Sequence, residues 1–168
     1  PGNIMLDNAG EVRLMDLGIS KSLNEPGSGG MTTAGFVIGT PYYMSPEQAR
    51  GRNDLDFRSD IYSLGATLYH LLTGSEPFDN DDPLVVMTQH INEPAPSAQI
   101  KNPDVSDGCC ALLERMLAKS PDDRYVNWQA LTKDIDRVIA GEMPPAKKAR
   151  VAAPGQALVR KNKKKVNA

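Results

Sequence analysis

The sequence predicts a mainly α-helical domain with one small β-hairpin near its N-terminus. Three observations carry that prediction. Residues 59–74 hold Ile61, Tyr62, Leu64, Ala66, Leu68, Tyr69, Leu71 and Leu72, so apolar and aromatic side chains fall on every side of one helix. A surface helix would keep a polar face, so this one is expected inside a core. Further segments open on capping residues at Asp82, Ser106 and Asn127 and stop at Gly or Pro. Two short apolar runs flank the turn residues Asp7-Asn8-Ala9-Gly10, the pattern of a hairpin.

The elements follow in order. Ile4-Met5-Leu6 and Val12-Arg13-Leu14-Met15 are the two strands, and Asp16-Leu17-Gly18 comes directly after them. An acid at a strand end, backed by a glycine, suits a metal or phosphate position, although Asp-x-Gly is also a common turn. Residues 20–39 are rich in Gly, Ser, Thr and Asn and read as a long loop carrying Thr32 and Thr33. Ser45 can cap a short helix with Pro46 in its first position, ending at Arg50-Gly51. Ser59 or Asp60 can cap the central helix, and Gly74 can end it in the left-handed conformation. Asp60 is the odd residue there. It is either a first-turn acid that favours the helix dipole or a buried carboxylate that holds another segment's backbone.

Asp82 and Pro83 open a helix over residues 84–91, which Pro94 and Pro96 stop. Ser106-Asp107 opens a helix whose apolar face is Cys110, Leu113, Met116 and Leu117. Asn127 opens the last, with Trp128, Leu131, Ile135, Val138 and Ile139 at helical spacing and Trp128 expected as a core anchor. From residue 142 the chain has no apolar periodicity and reads as a disordered basic tail.

The 168 residues fit one domain, residues 1–141, plus that tail. A 40% hydrophobic and 24% charged composition is that of a globular protein, and a net charge of −2 points to no specific nucleic acid. The tail's lysines leave weak contact with anionic lipid as an alternative to simple solvation. Cys109 and Cys110 are adjacent and without metal spacing, which reads as two reduced thiols in the cytoplasm. His70 and His90 stand beside apolar residues on helices and read as structural or exposed, with no ligand role. The chain opens on Pro1-Gly2-Asn3, as if inside a loop.

Four motifs occur in a telling order: Pro1-Gly2-Asn3, Asp16-Leu17-Gly18, Ser45-Pro46-Glu47 and the helix of Asp60. In protein kinases a catalytic loop ends in Asn, then come D-F-G and A-P-E. From Pro1 to Gly141 the sequence resembles the C-terminal lobe of a bacterial-type (Hanks-type) serine/threonine protein kinase. Gly39-Thr40-Pro41, followed by Tyr43-Met44-Ser45-Pro46-Glu47, is similar to the serine/threonine type and unlike the tyrosine type. Leu17 stands where the family usually has Phe and keeps an apolar contact there.

The resemblance implies roles. Asn3 and Asp16 would be magnesium ligands, with ATP as the phosphoryl donor. Gly39, Thr40 and Pro41 would form the ledge that receives substrate beside the phosphoacceptor, and Thr40 would also bond the catalytic Asp. Thr32 and Thr33 would be phosphorylation sites in the activation loop. Glu47 would pair with Arg124, and Asp60 would brace the catalytic-loop backbone. The partners implied are proteins bearing Ser or Thr, and an N-terminal lobe of the same protein. The 168 residues hold no glycine-rich loop, strand lysine or H-R-D, so the catalytic Asp and Lys are expected before Pro1 and the chain alone is expected to be inactive. Two other readings stay open: a non-catalytic lobe that binds partners through the 84–91 helix, and a basic-tailed adaptor.

Overall fold

The structure is a computed structural model that describes residues 1–15 and 41–145. Strands β1 (Ile4–Leu6) and β2 (Val12–Leu14) pair antiparallel, with Ile4 opposite Leu14 and Leu6 opposite Val12. The turn is held by Asp7. Its Oδ1 accepts from the amides of Ala9 and Glu11, each at 2.9 Å, and its Oδ2 takes the Arg13 guanidinium. The hairpin lies open, with Leu6, Val12 and Leu14 exposed.

Among the described residues five α-helices follow: α1 (Pro46–Ala49), α2 (Phe57–Thr73), α3 (Pro83–Asn92), α4 (Asp107–Met116) and α5 (Trp128–Ile139). Each starts on a side-chain cap. Ser45, Asp56, Asp82, Ser106 and Asn127 accept from backbone amides that the helix geometry leaves unpaired. Gly74 closes α2 at φ 77°, a conformation that costs any side-chain-bearing residue.

The central helix begins earlier than expected. Asp56, not Ser59 or Asp60, is its cap, accepting from the Arg58 amide at 2.9 Å. Ser59 and Asp60 fall inside the first turn of the helix, where the Ser59 hydroxyl donates to Glu47.

Helix α2 is the axis of the core. Tyr62, Ala66 and Tyr69 pack with Ala98, Leu113 and Leu117. Ile61 packs on another side with Leu112, Met116, Tyr125 and Leu131. At Gly65 the helices α2 and α4 come so close that an added Cβ would stand 2.8 Å from Met116 Cβ. The all-round burial of this helix is incomplete, however. Leu64 is partly open and Leu71 is 60% exposed. They edge an open apolar groove of about 310 Å³ against Val138 and Ile139 of α5.

Other expectations are corrected. Trp128 is 41% exposed, resting against Phe57 with ring centroids 6.3 Å apart rather than anchoring the core. Ile139 is exposed as well, and Leu112, not Cys110, completes the buried face of α4. Asp60 is exposed on the first turn of α2, and the catalytic-loop backbone it is expected to brace is not among the described residues. The tail from residue 146 lies outside the described residues.

Candidate functional site

The geometry builds from α1. Its start is a reciprocal cap: the Gln48 amide donates to Ser45 Oγ at 3.3 Å, and the Ser45 amide donates to Gln48 Oε1 at 2.8 Å. Pro46 fits the first position because no partner awaits its missing N–H. So fixed, the short helix turns Glu47 inward until 5% of it is exposed.

Glu47 meets Arg124 there. Nη1 donates to Oε1 at 2.6 Å and Nη2 to Oε2 at 2.9 Å, a two-pronged pair. Arg124 is itself 1% exposed and spends its remaining donors on backbone. Nε reaches the Ala118 carbonyl at 2.8 Å, Nη1 that of Arg58 at 2.8 Å and Nη2 that of Lys119 at 3.2 Å. The five N–H groups of a guanidinium thus all find acceptors. Ser59 Oγ adds a 2.6 Å bond to Glu47 Oε1. Burial pulls the Glu47 carboxyl upward, but Arg124 and Ser59 together outweigh it and hold its pKa below the ordinary value. One side chain therefore ties α1, the start of α2 and the segment after α4 together.

The turn Pro41–Tyr43 lies just ahead of α1, with Pro41 buried. Two histidines grip it. His90 Nε2 stands 3.1 Å from the Tyr42 carbonyl, and His70 Nδ1 stands 2.8 Å from the Tyr43 hydroxyl. The Tyr43 and His70 rings are stacked, 16° apart in plane. Burial, with the charge of Glu76 nearby, pushes the Tyr43 phenol up to about 12. Sequence reasoning gave neither histidine a partner. Nothing in the sequence marks the pairing, because each partner is remote along the chain.

At the other end, Asn3 is exposed, and its carbonyl accepts from the Met15 amide at 2.7 Å. The hairpin register thus sets Asn3 across from the residue just before Asp16. Asp16, Gly39, Thr40, Thr32 and Thr33 lie outside the described residues, as does most of the expected ledge except Pro41. Among the described residues no cluster of three His, Cys, Asp or Glu could hold a metal ion. Asn3 still fits a magnesium site of the kind expected, because it is exposed and its side-chain amide oxygen is a hard donor.

Burial raises the Asp60 carboxyl above its ordinary value, and the neighbouring Asp56 charge adds to this.

The protein kinase domain family matches residues 1–134, a span that takes in Asn3, Asp16, Glu47, Asp60 and Arg124. The chain belongs to the protein kinase family. It is 44% identical over 149 residues to the serine/threonine-protein kinase PknB of Mycolicibacterium smegmatis, covering 88% of this chain and 23% of that kinase. It is 40% identical over 148 residues to the PknB kinase of Mycobacterium tuberculosis (strain ATCC 25618 / H37Rv), with the same coverage. It is 39% identical over 142 residues to a probable serine/threonine-protein kinase, SCO3848, of Streptomyces coelicolor, covering 84% of this chain and 21% of that relative. The kinase relatives are thus bacterial and of the serine/threonine type, which is the family that the motif order resembles. This chain spans less than a quarter of their length.

Proposed function

We propose that this chain is the C-terminal lobe of an ATP-dependent kinase that phosphorylates serine or threonine in proteins. The family match over residues 1–134, which takes in every motif in its expected order, carries the reading. Asn3 and Asp16 would hold magnesium, which neutralises charge on the nucleotide phosphates when bound. Pro41, with Gly39 and Thr40, would receive the substrate backbone. Glu47 and Arg124 touch no reactant; they hold the platform on which that ledge stands. Thr32 and Thr33 are the proposed phosphorylation sites, and an N-terminal lobe of the same protein is the proposed partner. The half-buried free cysteines Cys109 and Cys110 support a reducing, cytoplasmic setting.

A non-catalytic role as a protein-binding lobe is the second reading. The exposure of Leu84 and Val85 on α3 favours it.

The test is transfer of radiolabelled phosphate to a generic basic protein. Three proteins are compared: this chain, the chain joined to the N-terminal part of the Mycolicibacterium smegmatis relative, and the joined protein carrying Asp16→Ala. The expected result is labelling by the joined protein only. Robust labelling by the chain alone would overturn the expectation that it needs an N-terminal lobe. A well-folded joined protein without activity would favour the binding reading.

A further inference from the structure

A chain of hydrogen bonds runs beneath the Pro41–Tyr43 turn, and its direction can be worked out. A carbonyl oxygen only accepts, so His90 Nε2 must carry the proton and donate to Tyr42 at 3.1 Å. In the neutral ring Nδ1 is then an acceptor, and the Tyr62 hydroxyl donates to it at 2.9 Å. The same hydroxyl oxygen is free to accept from Lys119 Nζ at 3.2 Å. Every link is thereby satisfied: Lys119 to Tyr62, Tyr62 to His90, His90 to the turn. His90 and Tyr62 are both fully buried, and the edges of the Tyr62 and Phe78 rings hem the imidazole at centroid distances of 5.6 and 4.9 Å. Such a ring has one orientation, and that orientation is spent on a backbone carbonyl rather than on a side chain.

We propose that His90 is a positioning residue for protein substrate: its bond to the Tyr42 carbonyl fixes the turn that directly follows the proposed substrate ledge. This rests on the kinase reading above. The Tyr43–His70 contact holds the far side of the same turn, so His90 governs the end nearer Pro41. Lys119 and Tyr62 act one step further back, by holding the imidazole in its donating state.

The experiment has two arms. In this chain, hydrogen exchange is measured for His90→Phe, which keeps ring packing but removes both nitrogens. The expected result is faster exchange at the Met44 amide, which the turn bonds to the Pro41 carbonyl, with α4 and α5 unchanged. In the joined kinase, His90→Phe is expected to raise KM for a peptide substrate about fivefold, the worth of one hydrogen bond, with KM for ATP unchanged. His90→Gln keeps an N–H at the Nε2 end and is expected to recover most of the loss. If His90→Phe does not fold, Tyr62→Phe is the substitute, and it should raise peptide KM while leaving KM for ATP alone.

Unchanged peptide KM in a folded His90→Phe or Tyr62→Phe kinase overturns the proposal, as does an equal rise in both KM values. A wild-type joined protein that transfers no phosphate would instead overturn the kinase reading, whatever the exchange arm shows.

Discussion

Ser59 Oγ and Arg124 Nη1 both approach Glu47 Oε1 at 2.6 Å, so one carboxylate oxygen serves a hydroxyl and a guanidinium at once. Removing either charged partner leaves the other buried. Arg124→Met should therefore cost roughly 3–5 kcal/mol in urea unfolding, the range for a broken buried pair. The double variant Glu47→Leu/Arg124→Met should cost less than the sum of its singles, since it strands no charge. Additive losses would mean that the pair does not act as a unit.

Gly65→Ala tests the contact between α2 and α4. Alanine favours a helix by about 1 kcal/mol over glycine. Here its methyl would meet Met116 Cβ at 2.8 Å, an atom fixed to the opposing backbone, so the helices must part. Overpacking of that kind typically costs about 1–3 kcal/mol. The expected outcome is net destabilisation by thermal melting, against the sign that helix propensity alone would give.

His90 sets an acid limit on stability. Burial is the main reason that its pKa falls from 6.5 to about 4, and the Lys119 cation lowers it further. The unfolded chain binds a proton that the folded chain refuses, so this contribution is complete above pH 6.5 and is lost as pH falls towards 4. Its size is at most about 3 kcal/mol. Glu47 acts lower down: its depressed carboxyl stabilises the fold above pH 4.5 and loses that effect as pH falls further. Unfolding free energy measured at half-unit steps from pH 7.5 to 4 should decline below 6.5. His90→Phe should flatten that decline.

Asp56 and Asp60 should behave oppositely despite their proximity. Asp56→Ala removes the cap of α2 and should cost about 1 kcal/mol at pH 7. Asp60 has a raised carboxyl pKa, so the folded chain disfavours its charge. Asp60→Asn should leave stability equal or slightly higher. A large loss there would show that Asp60 supports this fold directly.

What the sequence made legible was local. Caps at Ser45, Asp82, Ser106 and Asn127 could be read because each bonds an amide two or three residues away. The cap of α2 was misread because Asp56, Ser59 and Asp60 are all capping residue types, and composition does not say at which of them the helix begins. Glu47 and Arg124, 77 residues apart, were paired through family resemblance and not through spacing. The two histidines went unseen for the same reason. His90 serves a carbonyl 48 residues earlier and His70 a hydroxyl 27 residues earlier, and periodicity carries no trace of either. Trp128 was misjudged because helical spacing shows which residues share a face, not how far that face is covered.

The groove beside Leu71 has a practical consequence at the bench. An open trench of about 310 Å³ edged by leucine, valine and isoleucine is a ready host for amphiphilic fluorescent dyes. Dye-based melting curves of this chain should start bright while the protein is still folded, and rise little on heating. Circular dichroism of the helices, or tryptophan emission from Trp128, is the better thermometer for every variant above.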